Sequence, residues 1–286
     1  MNKVYVFVAT AIVLAGCSRD KFTRLEKKSI GKDFVKVTDN LYAGSTEVSN
    51  KQYSVFLLSL KVAGKEDEFN RYNFDSVSWR KVLGFSEPLV EYYHDHPAYR
   101  YYPAVNISYE GAVAYCNWLT AEYAKNPKRK YNKVVFRLPT EGEWKRAARG
   151  TSYTIFPWPG LSMRNSRGIY LANFHQVYEA DLKDTVVEGE RRAIEIITGS
   201  DVGIAGSLSD NGIVTTPVKS YFPNRFGVYN MCGNVSEMLS VKGRTKGGNW
   251  NSLGYYLRID APDEFGGQMM EPSPLVGFRV FAEVVE

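Results

Sequence analysis

Residues 136–150 read FRLPTEGEWKRAARG, and this stretch shows how the chain passes directly from a short strand into a capped helix. Val134 and Val135, which precede it, are β-branched, and the run Lys133-Val-Val-Phe-Arg-Leu138 predicts a short strand. Pro139-Thr140 then predicts a helix start. Glu143 lies three residues after Thr140, in the capping-box position, so the spacing predicts a helix over 141–149.

Two more helices are predicted on the N-terminal side of this unit. A Ser-Asn cap signal precedes Tyr53, Phe56, Leu57 and Leu60 at helical spacing, which predicts a helix over 49–62. Ser108 caps a second helix through residue 119, with Cys116 on its apolar face. The region 63–106 is expected to be loop with short strands, residues beyond 150 to be irregular, and the alternating segment 276–282 to be a strand.

The composition favours a globular, loop-rich protein. Of the 286 residues, 44% are hydrophobic and 14% aromatic, including 20 tyrosines, and there are 24 glycines, so aromatic side chains are expected to fill gaps between irregular segments. The net charge of +5 is spread along the chain apart from the run Lys125–Lys133. That run is typical of a solvated helix end and turn, so no nucleic-acid partner is expected.

The N-terminus has the pattern of an export signal. Met1-Asn2-Lys3 is positively charged, and residues 4–15 are apolar except for Thr10, a run too short to span a bilayer. Leu14-Ala15-Gly16-Cys17 resembles the bacterial lipobox, which implies cleavage before Cys17 and its lipidation. Two or three acyl chains anchor a protein stably. The serine after Cys17 implies sorting to the outer membrane, on a face that the sequence does not define. An ordinary secretory signal is the alternative.

Two cysteines remain after Cys17. An exported protein meets oxidising conditions, so Cys116 and Cys232 could form a disulfide. Burial of both as small apolar residues is the favoured alternative.

Six motifs in a fixed order carry a resemblance to a known family. They are EVSNKQYSVFL (47–57), PAVNISYEGAVAYCNWL (103–119), FRLPTEGEWKRAARG (136–150), TTPVKSYFPNRFGVYNMCGNVSEM (215–238), KGGNW (246–250) and GFRVF (277–281). Over residues 40–283 the chain resembles the formylglycine-generating enzyme, or sulfatase-modifying factor, family. The resemblance implies one compact α+β domain with little regular secondary structure, distantly related to C-type lectin folds. The expected organisation is a signal peptide over 1–16, a tether over 17–35 and this domain over 36–286.

The resemblance implies two structural calcium sites. Hard side-chain and carbonyl oxygens suit Ca²⁺, which takes six to eight of them. In the first site, the resemblance assigns side chains of Asn230 and Glu237 and carbonyls of Gly233 and Val235. Hydrogen bonding of Asn230 and Glu237 to their own turn is the alternative.

A second calcium site is implied by two separated segments. The resemblance assigns side chains of Asn173 and Asp210 and carbonyls of Phe174 and Gly212. The long, charged stretch 175–209 between them departs from the family pattern, and a simple turn explains Asp210-Asn211-Gly212 equally well.

The copper chemistry of the family is not expected. Its two copper-binding cysteines lie two and seven residues after the aromatic of the motif matched by Trp250, and those positions hold Ser252 and Leu257. Serine is a poor ligand for a soft ion and leucine is none. Formylglycine-generating oxidase activity is therefore not expected.

The remaining reactive side chains give weak signals. His94, His96 and His175 lack the spacing of an iron site, so a structural or surface role is favoured. Ser252 has no histidine near it in sequence to activate it as a nucleophile.

These observations favour a non-catalytic, calcium-stabilised binding or assembly module on an outer-membrane lipoprotein with a protein partner in the cell envelope. Residues 95–116 resemble ring-forming and gliding-associated lipoproteins of the type IX secretion system. One alternative is a metal-dependent oxidase or hydroxylase of the family. Another is a glycan-binding surface lipoprotein. The candidate contact surface is Asn249, Trp250, Asn251, Ser252 and Tyr255.

Overall fold

The computed structural model describes residues 33–151, 153–177, 182–187, 191–196 and 214–285. Its regular elements are short and separated by long turns. In chain order they are β1 Phe34–Lys36, β2 Leu41–Gly44, α1 Asn50–Val62, α2 Glu66–Tyr72, α3 Glu87–Tyr92, α4 Tyr109–Ala124, β3 Val134–Arg137, α5 Glu141–Arg149, β4 Leu182–Val187, β5 Arg191–Ile196, β6 Ser236–Met238, β7 Thr245–Lys246, β8 Val276–Gly277 and β9 Phe281–Val284. This mixture of helices and small sheets is an α+β domain.

The strands form two small sheets and a separate hairpin. The larger sheet is antiparallel with the order β1-β2-β9-β3, and β1 begins at Phe34, two residues before the predicted start of the domain. In the smaller sheet, of order β7-β6-β8, strand β6 is parallel to β8. Strands β4 and β5 pair only with each other among the described residues.

The three predicted helices and their caps are confirmed. Ser49 closes a capping box with Gln52 at the start of α1. Ser108 accepts a hydrogen bond from the backbone of Gly111 at the start of α4, and Thr140 forms the predicted capping box with Glu143 at α5. Each cap satisfies backbone N–H groups that a helix leaves without an internal partner.

The prediction of loop and short strands over 63–106 was wrong. This region contains α2, α3 and two 3-10 helices, Ser76–Lys81 and Pro97–Tyr99. Neither α2 nor α3 buries any residue. Their apolar residues, Phe69 and Tyr72 in α2 and Leu89 and Val90 in α3, are only partly buried against the core. With seven and six residues, the two helices are too short to show the apolar spacing on which a sequence prediction depends.

The predicted strand over 276–282 is divided between the two sheets. Val276 and Gly277 pair with β6, whereas Phe281 and Ala282 belong to β9 in the larger sheet. The intervening Phe278, Arg279 and Val280 are buried, so this segment joins the two sheets through the interior.

The two described cysteines lie in different parts of the core. Cys116 belongs to α4 and lies in the core cluster that α4 forms with α1, whereas Cys232 lies in the cluster around α5. Both are buried and neither forms a disulfide. Burial raises the pKa of each thiol, so both stay protonated and act as small apolar side chains.

Candidate functional site

The segment after Trp250 places both Ser252 and Leu257 against Gly248. Gly248 has φ +68°, and a Cβ added there would lie 2.9 Å from Leu257 Cδ1 and 3.3 Å from Ser252 Cβ. Both side chains are fully buried. The turn between Asn249 and Leu257 thus brings together the two positions at which the resemblance expects copper-binding cysteines.

Ser252 belongs to a closed hydrogen-bond network. Its hydroxyl accepts from the backbone N–H of Asn249 at 2.8 Å and donates to the Glu264 carboxylate. The Asn249 side chain also donates to Glu264, at 3.1 Å, and to Ser236. Burial raises the pKa of Glu264. Because the hydroxyl is buried and committed to Glu264, the network holds the turn in shape and does not present a nucleophile.

Most of the predicted contact surface lies inside the protein, which corrects that expectation. Trp250 is 1% exposed, its indole N–H donates to the carbonyl of Pro274 at 3.1 Å, and its ring stacks on Trp79. Asn249 and Ser252 are buried as well. A large indole with a satisfied N–H contributes more as core than as surface.

Asn251 and Tyr255 are the members of the predicted surface that solvent reaches. Tyr255 is 50% exposed, and the Arg258 guanidinium lies 4.0 Å from the centre of its ring. A partner arriving from solvent would therefore meet an exposed phenol and an exposed amide.

A buried ion pair, which the sequence did not reveal, lies beneath the 230–237 loop. Arg279 and Glu237 are both fully buried and approach to 2.6 Å. Arg279 also donates to the carbonyls of Gly44 and Tyr229, at 2.8 and 2.7 Å. The Trp144 indole N–H donates to Glu237 at 2.8 Å. The signal available in the sequence was an arginine flanked by apolar residues in GFRVF.

A second buried carboxyl, Glu47, lies next to this pair. It accepts a hydrogen bond from Asn234 at 2.8 Å and a longer one from Asn230 at 3.4 Å. Burial raises the pKa of Glu47 to about 8, and the negative charge of Glu237 adds to the rise while Arg279 opposes it. One guanidinium thus faces two buried carboxyl groups.

The predicted calcium loop meets part of the requirement for a hard cation. Asn230 Oδ1 is buried and has no hydrogen-bond partner among the described residues. An unpaired buried oxygen beside two carboxyl groups suits Ca²⁺. Both oxygens of Glu237 already accept from Arg279 and Trp144, so a cation here would share that carboxylate with the guanidinium. The oxygen donors of the loop therefore fit Ca²⁺, provided that Glu237 binds the cation and Arg279 together.

Gly233 allows this loop to pack closely on the segment that contains Asn173. Gly233 has φ +79°, and a Cβ there would lie 2.3 Å from the carbonyl oxygen of Asn173. That carbonyl accepts from the backbone N–H of Asn234, and the Asn173 side chain donates to Val214 at 2.7 Å. The first half of the second predicted calcium site therefore packs directly on the first site.

Only half of the second predicted site can be located. Asn173 and Phe174 are buried in the described part of the chain. Asp210 and Gly212 lie outside the described residues, as does Cys17.

The three histidines have three different environments. His94 is buried against Phe74, with ring centres 3.9 Å apart, and its ring nitrogens face Asn50 and Asn106. Burial lowers the pKa of His94 to about 3, so the ring is neutral. His96 is exposed and caps a 3-10 helix. The backbone N–H of His175 donates to the carbonyl of Ser252.

The described residues offer neither a cluster of metal-ligating side chains nor a membrane-spanning helix. They contain no group of three or more histidine, cysteine, aspartate or glutamate side chains arranged to hold a metal ion. No helix among them is long and apolar enough to cross a bilayer.

Comparisons with known proteins agree with the motifs. The formylglycine-generating enzyme of Bos taurus is 31% identical over 229 residues, covering 71% of this chain and 49% of the relative. That of Streptomyces coelicolor is 29% identical over 165 residues, covering 58% and 38%. The chain thus spans half or less of the length of these curated relatives.

Solved structures and a family model complete the comparison. The structure of PvdO from Pseudomonas aeruginosa has a TM-score of 0.48 and 19% identity, covering 85% of this chain and 80% of PvdO. The family model described as the sulfatase-modifying factor enzyme 1-like domain matches residues 10–284, nearly the whole sequence. The chain belongs to this sulfatase-modifying factor family.

Proposed function

We propose that this protein uses its sulfatase-modifying factor domain as a non-catalytic binding or assembly module, held at the outer membrane by a lipid on Cys17. The family is defined by sequence over nearly the whole chain. The proposed role of this member follows from Ser252 and Leu257, the residues at the positions where the resemblance expects copper-binding cysteines.

One observation carries the proposal. Ser252 and Leu257 both lie against Gly248, at the positions where the family resemblance expects two thiolates, and neither side chain is a good ligand for a soft ion. Ser252 is tied to Glu264, and Leu257 packs in the core around α5. The frame of the former redox site is kept, while its chemistry has been replaced by packing and hydrogen bonds.

Calcium is proposed as a stabiliser of this frame. The unpaired oxygen of Asn230 and the two carboxyl groups, Glu47 and Glu237, around the single Arg279 support it. A bound divalent cation would favour the ionised form of Glu47 and would balance the second carboxylate that its proton loss creates beside Glu237.

The partner surface is proposed at Tyr255 and Asn251, with an envelope protein as the partner. Exposed tyrosines contribute large contact areas at low entropic cost. A photo-crosslinking amino acid at position 255 tests this in intact cells, with position 128, exposed beyond the end of α4, as the control. We expect one discrete protein adduct from position 255 and none from position 128. Equal labelling from both, or none, would remove the assembly proposal.

The lipid anchor is tested separately. A Cys17→Ser variant is expected to leave the membrane fraction, because acyl chains provide the attachment. Unchanged membrane association of this variant would contradict anchoring through Cys17.

Glycan binding is the second candidate function, favoured by the exposed ring of Tyr255 and the exposed amide of Asn251 in the same turn. Aromatic faces with amide groups suit sugars. Retention on immobilised envelope polysaccharide that a Tyr255→Ala variant loses would favour this function over assembly.

A further inference from the structure

The domain contains a chamber away from the Ser252 network. It lies between the β2–α1 connection, α4 and the segment Pro217–Lys219, and has a volume of about 500 Å³. Sites for small molecules usually enclose roughly 300–1,000 Å³. The chamber is therefore large enough for a compact organic ligand.

The interior of the chamber is mainly apolar. Val48 lines it from the β2–α1 connection, Val55 from α1 and Leu119 from α4. Val280 closes it from the segment that joins the two sheets. Tyr115 adds an aromatic wall. Such a lining favours a ligand with an apolar body.

The rim of the chamber is basic. Lys51 and Lys219 both line it and are both exposed. Lys51 Nζ lies 5.7 Å from the ring centre of Tyr101, whose carbonyl accepts from the backbone N–H of Val218. These contacts hold the two lysine-bearing segments at one opening. Asp33 is the exposed acidic residue of the lining.

The first turn of α1 reinforces this polarity without binding a ligand itself. It contains no acidic residue, so no side chain there offsets the positive end of the helix dipole. Its first backbone N–H groups donate within the protein, from Asn50 to Tyr102 and from Lys51 to Arg100. An anion at this opening would therefore be held by the lysine side chains.

The buried carboxyl that lines the chamber does not cancel this charge. Glu47 is turned to the side chains of Asn230 and Asn234. The opening thus presents two cations against Asp33.

We propose that this chamber binds an organic monocarboxylate with an apolar aryl or alkyl body, the body lying against Val55 and Leu119 and the carboxylate at Lys51 and Lys219. This site is independent of the proposed assembly role and of the Ser252 position. It assigns the domain a small-molecule binding activity.

The test uses three probes of matched shape: 4-phenylbutyrate, 4-phenylbutylamine and 4-phenylbutanol. Binding to the full chain is followed by calorimetry and by ligand-observed NMR. The carboxylate is expected to bind at one site and more tightly than the alcohol, with the amine weakest. The affinity of the carboxylate should fall as salt is added, because the lysines are exposed.

Two variants locate the site. Lys51→Gln with Lys219→Gln is expected to weaken carboxylate binding roughly three- to ten-fold, as loss of two exposed ion pairs predicts, and to leave binding of the alcohol unchanged. Val55→Trp is expected to abolish binding of all three probes by filling the chamber. Lys128→Gln removes an exposed lysine elsewhere and should change nothing.

The lysine variant decides the proposal even if Val55→Trp fails to fold, because Lys51 and Lys219 are on the surface. Absence of carboxylate binding, equal affinity for the amine, or carboxylate binding unaffected by the double lysine variant would overturn the proposal.

Discussion

Replacing Arg279 by methionine is predicted to be among the most damaging single changes in this domain. The change leaves Glu237 and Glu47 buried without their common cation and takes the donors from the carbonyls of Gly44 and Tyr229. Breaking a buried ion pair from one side costs about 3–5 kcal/mol, and each carbonyl left unpaired adds to that cost. The predicted loss in the free energy of unfolding is therefore at least about 3 kcal/mol, a large part of the stability of an ordinary domain.

Urea denaturation followed by tryptophan fluorescence measures this loss. Arg137→Met is the matched control, because Arg137 also pairs with two carboxylates, Glu143 and Glu283, but its side chain is 28% exposed. Screened pairs of this kind contribute about 1 kcal/mol or less. Equal losses in the two variants, or a loss below about 1 kcal/mol at Arg279, would refute the reasoning that burial sets the value of the pair. Arg279→Lys, which keeps the charge but fewer donors, should fall between.

Three further predictions follow from single contacts. Thr140→Ala should cost about 1 kcal/mol in urea denaturation, because it removes the capping box of α5, and Thr140→Ser should restore it. Ca²⁺ at 100 times its dissociation constant should stabilise the protein by about 2–3 kcal/mol in thermal unfolding; Asn230→Ala should abolish that shift, and an equal shift with Mg²⁺ would argue against a calcium loop. In calcium-free buffer, stability should fall between pH 5 and 8. The unfolded chain releases the Glu47 proton near its ordinary pKa, while the folded protein holds it to about 8, so unfolding is favoured as pH rises. Glu47→Gln should flatten that fall, and an unchanged slope would show that Glu47 is not its source.

The helices most readily predicted were those that bury a face. Ser49 and Ser108 predicted the starts of α1 and α4, and Thr140 with Glu143 predicted the start of α5, because capping residues and apolar spacing act locally. The surface helices α2 and α3 bury no side chain fully, and with seven and six residues they are too short for a clear apolar pattern. The split of the last strand between two sheets depends on partners far away in sequence, which periodicity does not report.

The candidate site was predictable in identity but not in environment. The spacing from Trp250 found Ser252 and Leu257, and the structure places them together at Gly248. The burial of Trp250 was not predicted, because tryptophan occurs both in pocket walls and in hydrophobic cores. Glu264 was missed as well, since its contact with Ser252 is made by a turn that carries no recognisable motif.

A copper titration tests the central claim, that the reactive positions of this family member no longer hold a soft metal. The protein and a Ser252→Cys, Leu257→Cys double variant are titrated with Cu(I) against a chromophoric chelator, and each is incubated with a cysteine-containing sulfatase peptide under oxygen. Because both side chains lie against Gly248, the double variant is expected to bind one Cu(I), whereas the unmodified protein takes none from the chelator and forms no aldehyde. Stoichiometric Cu(I) binding with aldehyde formation by the unmodified protein would contradict the account.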